Sequence, residues 1–167
     1  PSYEFCLNLG GFSNVSFEKK SERIAFDICP VNIVLNFYAN KMGLEYDASG
    51  AIAAQGEINT PLLSALNALD FYKRAAPKSL GLEWVQKEIL PLIAVYKASV
   101  PDILRTFVEH IALQIARIVK DSNAVLITGG GVFNTFLMER IKYWSRSKVV
   151  EPSDAVINYK EALIFAF

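Results

Sequence analysis

The chain has 167 residues, 52% of them hydrophobic and 20% charged, and its 17 Lys and Arg balance 17 Asp and Glu. That length makes one domain with a substantial core, and the even charge argues against a generic nucleic-acid or anionic-membrane surface, which needs a basic excess. No run approaches the roughly 18 apolar residues of a membrane span; one histidine and two separated cysteines form no zinc pattern, and Cys6 and Cys29 read as reduced core residues, with a disulfide between them as the alternative.

Three short strands open the chain. Tyr3 to Leu9 is the first, and Asn14-Val15-Ser16-Phe17-Glu18 and Arg23-Ile24-Ala25-Phe26-Asp27 alternate with period two. Gly10-Gly11 and the polar Lys19-Lys20-Ser21-Glu22 separate them, as in an antiparallel meander. Pro30 fits the first turn of a helix over 30–42, with Gly43 just past its end. Further helices are expected over 60–69 and 82–90, the latter after a loop bracketed by Pro77 and Gly81. Ser99 caps the longest helix, whose apolar stripe includes Ile103, Leu104, Phe107, Ile111 and Ile115. A strand over 124–127, a helix over 132–144, a short strand near Lys148-Val149-Val150 and a last helix from about 156 complete the order. That order matches the ribonuclease-H-like core of actin-like ATPases and sugar kinases: an α/β lobe with a mixed five-stranded sheet flanked by helices.

Two glycine turns carry the chemistry. Asn8-Leu9-Gly10-Gly11-Phe12-Ser13-Asn14 follows the apolar Phe5-Cys6-Leu7, and Thr128-Gly129-Gly130-Gly131-Val132-Phe133-Asn134 follows Ala124-Val125-Leu126-Ile127. Glycine lets backbone approach a ligand closely, and main-chain N–H groups in such turns can hold an anion. Two of them fit a nucleoside triphosphate, phosphates at the first and nucleoside near the second. The alternative for each is purely architectural: a tight hairpin, and a close strand–helix crossing.

Around these turns the chain resembles the anhydro-N-acetylmuramic acid kinase family. The first turn is similar to the family's Asn-Ile-Gly-Gly-Ile-Ser/Ala-Asn, and Phe26-Asp27 with Pro30 and Asn32 to Phe-Asp-Thr-Gly-Pro-Gly-Asn. Tyr46-Asp47 with Gly50, Ala54 and Gly56 resembles Tyr-Asp-x-x-Gly-x-x-Ala-x-x-Gly, and Pro77-Lys78-Ser79 with Gly81 and Glu83 resembles Pro-Pro-Lys-Ser-Thr-Gly-Arg-Glu. Gly129-Gly130-Gly131 with Asn134 and Leu137-Met138, and Glu161-Ala162 with Phe165-Ala166, resemble its last two motifs. The resemblance implies a cytoplasmic bacterial enzyme that uses ATP and Mg²⁺ to open and phosphorylate the anhydro amino sugar, giving N-acetylmuramic acid 6-phosphate for cell-wall recycling. It also implies a homodimer, without nucleic-acid or membrane partners.

Residues 1–167 are then expected to be the C-terminal, nucleotide-binding lobe of a two-lobe kinase. The general base would lie upstream, so no catalytic residue is assigned within the chain, and the chain alone is expected to be inactive. Nucleotide contacts are expected from Asn8, Gly10, Gly11, Phe12, Ser13 and Asn14, and from Gly129, Gly130, Gly131 and Asn134. Glu161 is expected to reach the sugar or else to lie on a solvated helix face. Asp27 would orient Mg²⁺ through water or cap the following helix. Lys78 reads as a solvated lysine or a nucleotide contact, and His110 as a residue at the edge of the long helix's packed face. Where the family has a glycine and threonine-rich turn, this chain has Ile28-Cys29-Pro30-Val31, and Asn36 stands where an aspartate is common. That leaves two other functions: a non-catalytic nucleotide- or partner-binding module, and a related kinase for another amino sugar.

Overall fold

A computed structural model describes residues 3–120 and 122–150; Glu161 and the helix expected from 156 lie outside the described residues. Strands β1 (Phe5–Leu9), β2 (Phe12–Lys19) and β3 (Glu22–Pro30) form the antiparallel meander. After the helices, β4 (Val125–Thr128) pairs parallel to β1 and β5 (Val149–Val150) parallel to β4, giving the order β3-β2-β1-β4-β5. Alternation explains the pairing: Leu7, Leu9 and Val15 are buried while Asn8 and Asn14, opposite each other, are not.

Pro30 corrects the expected start of the first helix. It closes β3, opposite Phe12, and α1 spans Asn32–Asn40. β3 is an edge strand, where a residue without N–H costs no ladder bond. The start of α1 is held by the hairpin tip: Val31 and Ile33 donate to the Gly11 carbonyl at 2.8 and 3.3 Å, and Asn32 to the Gly10 carbonyl at 3.2 Å.

The short helix α2 (Ala51–Gln55) was not legible from periodicity; α3 spans Thr60–Asn67. The helix expected over 82–90 continues to Val95, as α4 (Leu82–Trp84), a π-helical turn (Val85–Ile89) and α5 (Leu90–Val95). Pro91 is the reason for the widened turn ahead of it, since its ring lacks an N–H and crowds the carbonyl four residues back.

Helix α6 (Val100–Val119) is the axis of the core. Ser99 caps it, its Oγ accepting from Asp102 N at 3.3 Å, and it packs against α1, α2, α3, β3 and α7 (Thr135–Ser145). His110 sits inside this packing rather than at its edge, wholly buried. Its Nδ1–H donates to Asn67 Oδ1 at 2.8 Å and its Nε2 accepts from the Tyr72 hydroxyl at 2.9 Å. Gln114 Nε2 donates to the same Asn67 oxygen at 2.6 Å. Burial pushes the imidazole down to about 3, so it is neutral at ordinary pH.

Next to His110 in the chain and on a different side of α6, buried Glu109 fixes α7. Arg140 grips it with Nε at 2.8 Å and a terminal nitrogen at 2.7 Å, and Trp144 Nε1 donates at 2.6 Å. Burial raises the Glu109 carboxyl, but these hydrogen bonds outweigh it and hold the group below the ordinary glutamate value. Cys6 and Cys29 are free thiols; burial pushes Cys29 up to about 12.

Candidate functional site

Parallel pairing of β1 and β4 sets Asn8 beside Thr128, so the two glycine turns leave the sheet side by side at the same end. The glycines divide into two groups. Gly129, at φ 91, passes so close to β1 that a Cβ would lie 2.6 Å from the Leu9 carbonyl oxygen and 2.8 Å from Asn8 Oδ1; at Gly131 it would lie 2.7 Å from Leu9 Cβ. These two permit the crossing. Gly11 and Gly130 have nothing within 4 Å of a built Cβ and are exposed, presenting bare backbone. Gly10 shapes the hairpin, its N–H donating to the Phe12 carbonyl at 3.1 Å.

Beside the second turn lies a cleft of about 320 Å³. Asn32 and Asn36 of α1 form one wall, Tyr46 and Ser49 a second, and Gly130 and Phe133 a third. Asp47 also lines it, but its carboxylate is engaged, accepting from Ile52 N and Ala53 N at 2.9 Å each and so starting α2. Asn134 caps α7, its Oδ1 accepting from Leu137 N at 2.9 Å, and Thr135 Oγ1 donates to the Ser49 carbonyl at 3.1 Å. Loop 46–50 and the start of α7 thus hold each other. Among the described residues, no Lys or Arg lines the cleft.

The remaining expected residues lie apart from it. Phe12 packs against the core. Ser13 is wholly buried, its Oγ donating to the Cys29 carbonyl at 3.1 Å and accepting from Cys29 N at 3.2 Å beside a β-bulge. Its side chain ties β2 to β3. Asn8 projects over Gly129, while Asn14 lines a separate groove with Asp27 and Lys78. Asp27 neither faces the cleft nor caps α1: its Oδ2 accepts from Leu80 N at 2.8 Å and its N–H donates to the Lys78 carbonyl at 3.0 Å, pinning loop 78–80 to the sheet edge. Lys78 is half-buried rather than freely solvated: Nζ donates to the Phe71 carbonyl at 3.2 Å and lies over the Phe71 ring, and desolvation lowers its pKa. Among the described residues, no group of three or more His, Cys, Asp and Glu is placed to hold a metal. Sequence reasoning missed Asn32, Asn36, Tyr46, Ser49 and Phe133 as cleft walls. The available signal was the Tyr46-Asp47 and Gly50 spacing, which carries the Asp cap and the close approach to α7.

Sheet order and crossing turns define an actin-like ATPase lobe of ribonuclease-H-like topology. Two solved structures share that fold at 16% identity: the (R)-2-hydroxyglutaryl-CoA dehydratase component A of Acidaminococcus fermentans (TM-score 0.57, 98% of this chain, 60% of that one) and the activator of the 2-hydroxyisocaproyl-CoA dehydratase from Clostridium difficile with bound ADPNP (TM-score 0.55, 92% and 55%). The family model for anhydro-N-acetylmuramic acid kinase matches residues 1–167, and the chain belongs to that family. Relatives of that name include those of Mannheimia succiniciproducens (33% identical; 96% of this chain, 48% of the relative), Gamma-proteobacterium EBAC31A08 (35%; 89% and 42%) and Pseudomonas putida (36%; 81% and 39%). The chain spans about half the length of these relatives or less.

Proposed function

We propose that this chain is the nucleotide-holding half of a cytoplasmic kinase that uses ATP to open and phosphorylate 1,6-anhydro-N-acetylmuramic acid, yielding N-acetylmuramic acid 6-phosphate. The observation that carries the reading is the emergence of both glycine turns at one sheet end, with Gly11 and Gly130 bare. The cleft beside Gly130, with no Lys or Arg among its described lining residues, suits a nucleoside, and the exposed backbone at Gly11 suits the phosphates. Both Asp47 carboxylate oxygens already accept main-chain N–H groups, and Mg²⁺ enters this reading as part of the nucleotide complex. The sugar site, the general base and the homodimer contacts belong to the longer protein, with Glu161 as this chain's contribution to the sugar.

The reading as a non-catalytic module started from the altered Ile28-Cys29-Pro30-Val31 turn. All four residues are buried and none of them lines the cleft. Amide NMR of the chain titrated with Mg²⁺-ATP tests the proposal. Shifts centred on Gly11 and Gly130, with no turnover of the anhydro sugar until the other half is supplied, are expected. Absence of shifts at both glycines would sink it.

A further inference from the structure

We infer that Asn32 and Asn36 form a paired carboxamide contact for the ribose diol of the bound nucleotide, making this chain selective for ribonucleotides over deoxyribonucleotides. The inference rests on the nucleotide reading above and adds two residues and a specificity to it.

Asn32 and Asn36 are four apart on α1 and therefore share a face, about one helical turn from each other. Both line the 320 Å³ cleft, and both also line a second groove of about 560 Å³ that begins at Gly11. They are the ridge where the two meet. A nucleotide with its base toward Gly130 and its phosphates toward Gly11 crosses this ridge with its ribose, the piece that joins the other two.

Their chemistry sets them apart from other asparagines on the helices. Asn59 and Asn134 spend their oxygens on caps, Asn67 on His110 and Gln114, and Asn40 donates to the Leu44 and Glu45 carbonyls. Asn32 and Asn36 are half-buried, yet among the described residues neither side chain has a hydrogen-bond partner. A carboxamide offers both donors and an acceptor without charge, which matches two adjacent hydroxyls, each donor and acceptor. Among the described residues the walls around them present no cation, and Asp47, held by two main-chain N–H groups, is the cleft's one charged lining residue; a diol needs no counter-charge.

Calorimetry of this chain with the Mg²⁺ complexes of ATP, 2′-deoxyATP, 3′-deoxyATP and GTP tests the inference. The unmodified chain should bind ATP about tenfold more tightly than either deoxynucleotide, the worth of one such hydrogen bond. Asn36→Ala, a change that favours the helix, should weaken ATP about tenfold and bring the ATP-to-deoxyATP ratio close to one; Asn32→Ala should do the same to a similar degree. A ratio unchanged by both substitutions overturns the inference while ATP binding, registered at Gly130, keeps the nucleotide reading. A change in the ATP-to-GTP ratio alone also overturns it, by assigning the pair to the base. No binding of ATP by the unmodified chain overturns both.

Discussion

Gly50 and Asn134 interlock at the mouth of the cleft. Gly50 stands at φ 72, and a Cβ there would fall 2.3 Å from Asn134 Oδ1, the oxygen that caps α7, and 2.7 Å from Phe136 Cβ. The 46–50 loop therefore reaches α7 only because residue 50 has no side chain.

Gly50→Ala should accordingly cost about 2–4 kcal/mol, from overpacking and the left-handed backbone together. Thermal unfolding checks the stability. Nucleotide titration at a temperature where the variant is folded should also show weakened binding, because the loop carrying Tyr46 and Ser49 is displaced.

The glycine-rich turn yields a separable pair of outcomes. Gly129→Ala and Gly131→Ala collide with Leu9 and should each lower the unfolding midpoint by several degrees. Gly130→Ala meets nothing and should change stability by less than about 1 kcal/mol, while reducing affinity for Mg²⁺-ATP. Equal stability losses at all three positions would contradict the division between crossing and contact glycines.

His110 makes the fold acid-sensitive. Its folded pKa of about 3 lies below the roughly 6.5 of an unfolded histidine. Below 6.5 the unfolded chain therefore takes up a proton that the native state refuses, and stability falls as pH drops toward 3, with a slope approaching about 1.4 kcal/mol per pH unit. Between pH 6.5 and 5 ordinary carboxylates remain mostly ionised, so urea melts in that window isolate the histidine. His110→Gln should flatten the slope there, whatever it does to stability at pH 8.

The Glu109–Arg140 pair should behave as a unit. Arg140→Ala strands a buried carboxylate and is expected to cost about 3–5 kcal/mol. Adding Glu109→Leu to that variant should recover part of the loss. A double-mutant cycle on unfolding free energies measures the coupling, and additive effects would show that α6 and α7 are held by apolar packing alone.

The meander and the long helix were legible because each follows from local pattern: period two in β2 and β3, a Ser99 cap and a three–four stripe on α6. The misplacement of Pro30 came from an edge position, a fact about neighbours that local pattern does not encode. Helix α2 escaped notice because it is short and begins on a carboxylate several residues upstream. His110 read as peripheral since its partners, Asn67 and Tyr72, come from segments about forty residues away. For the candidate site, the presence of glycines was visible while their division was not, since Gly129 and Gly131 acquire their role from Leu9, at the far end of the chain.

The hairpin tip and the first turn of α1 share three main-chain hydrogen bonds. A substitution that displaces Gly11 therefore disturbs the anchoring of the helix that carries Asn32 and Asn36, so damage at the hairpin tip is felt beyond the hairpin.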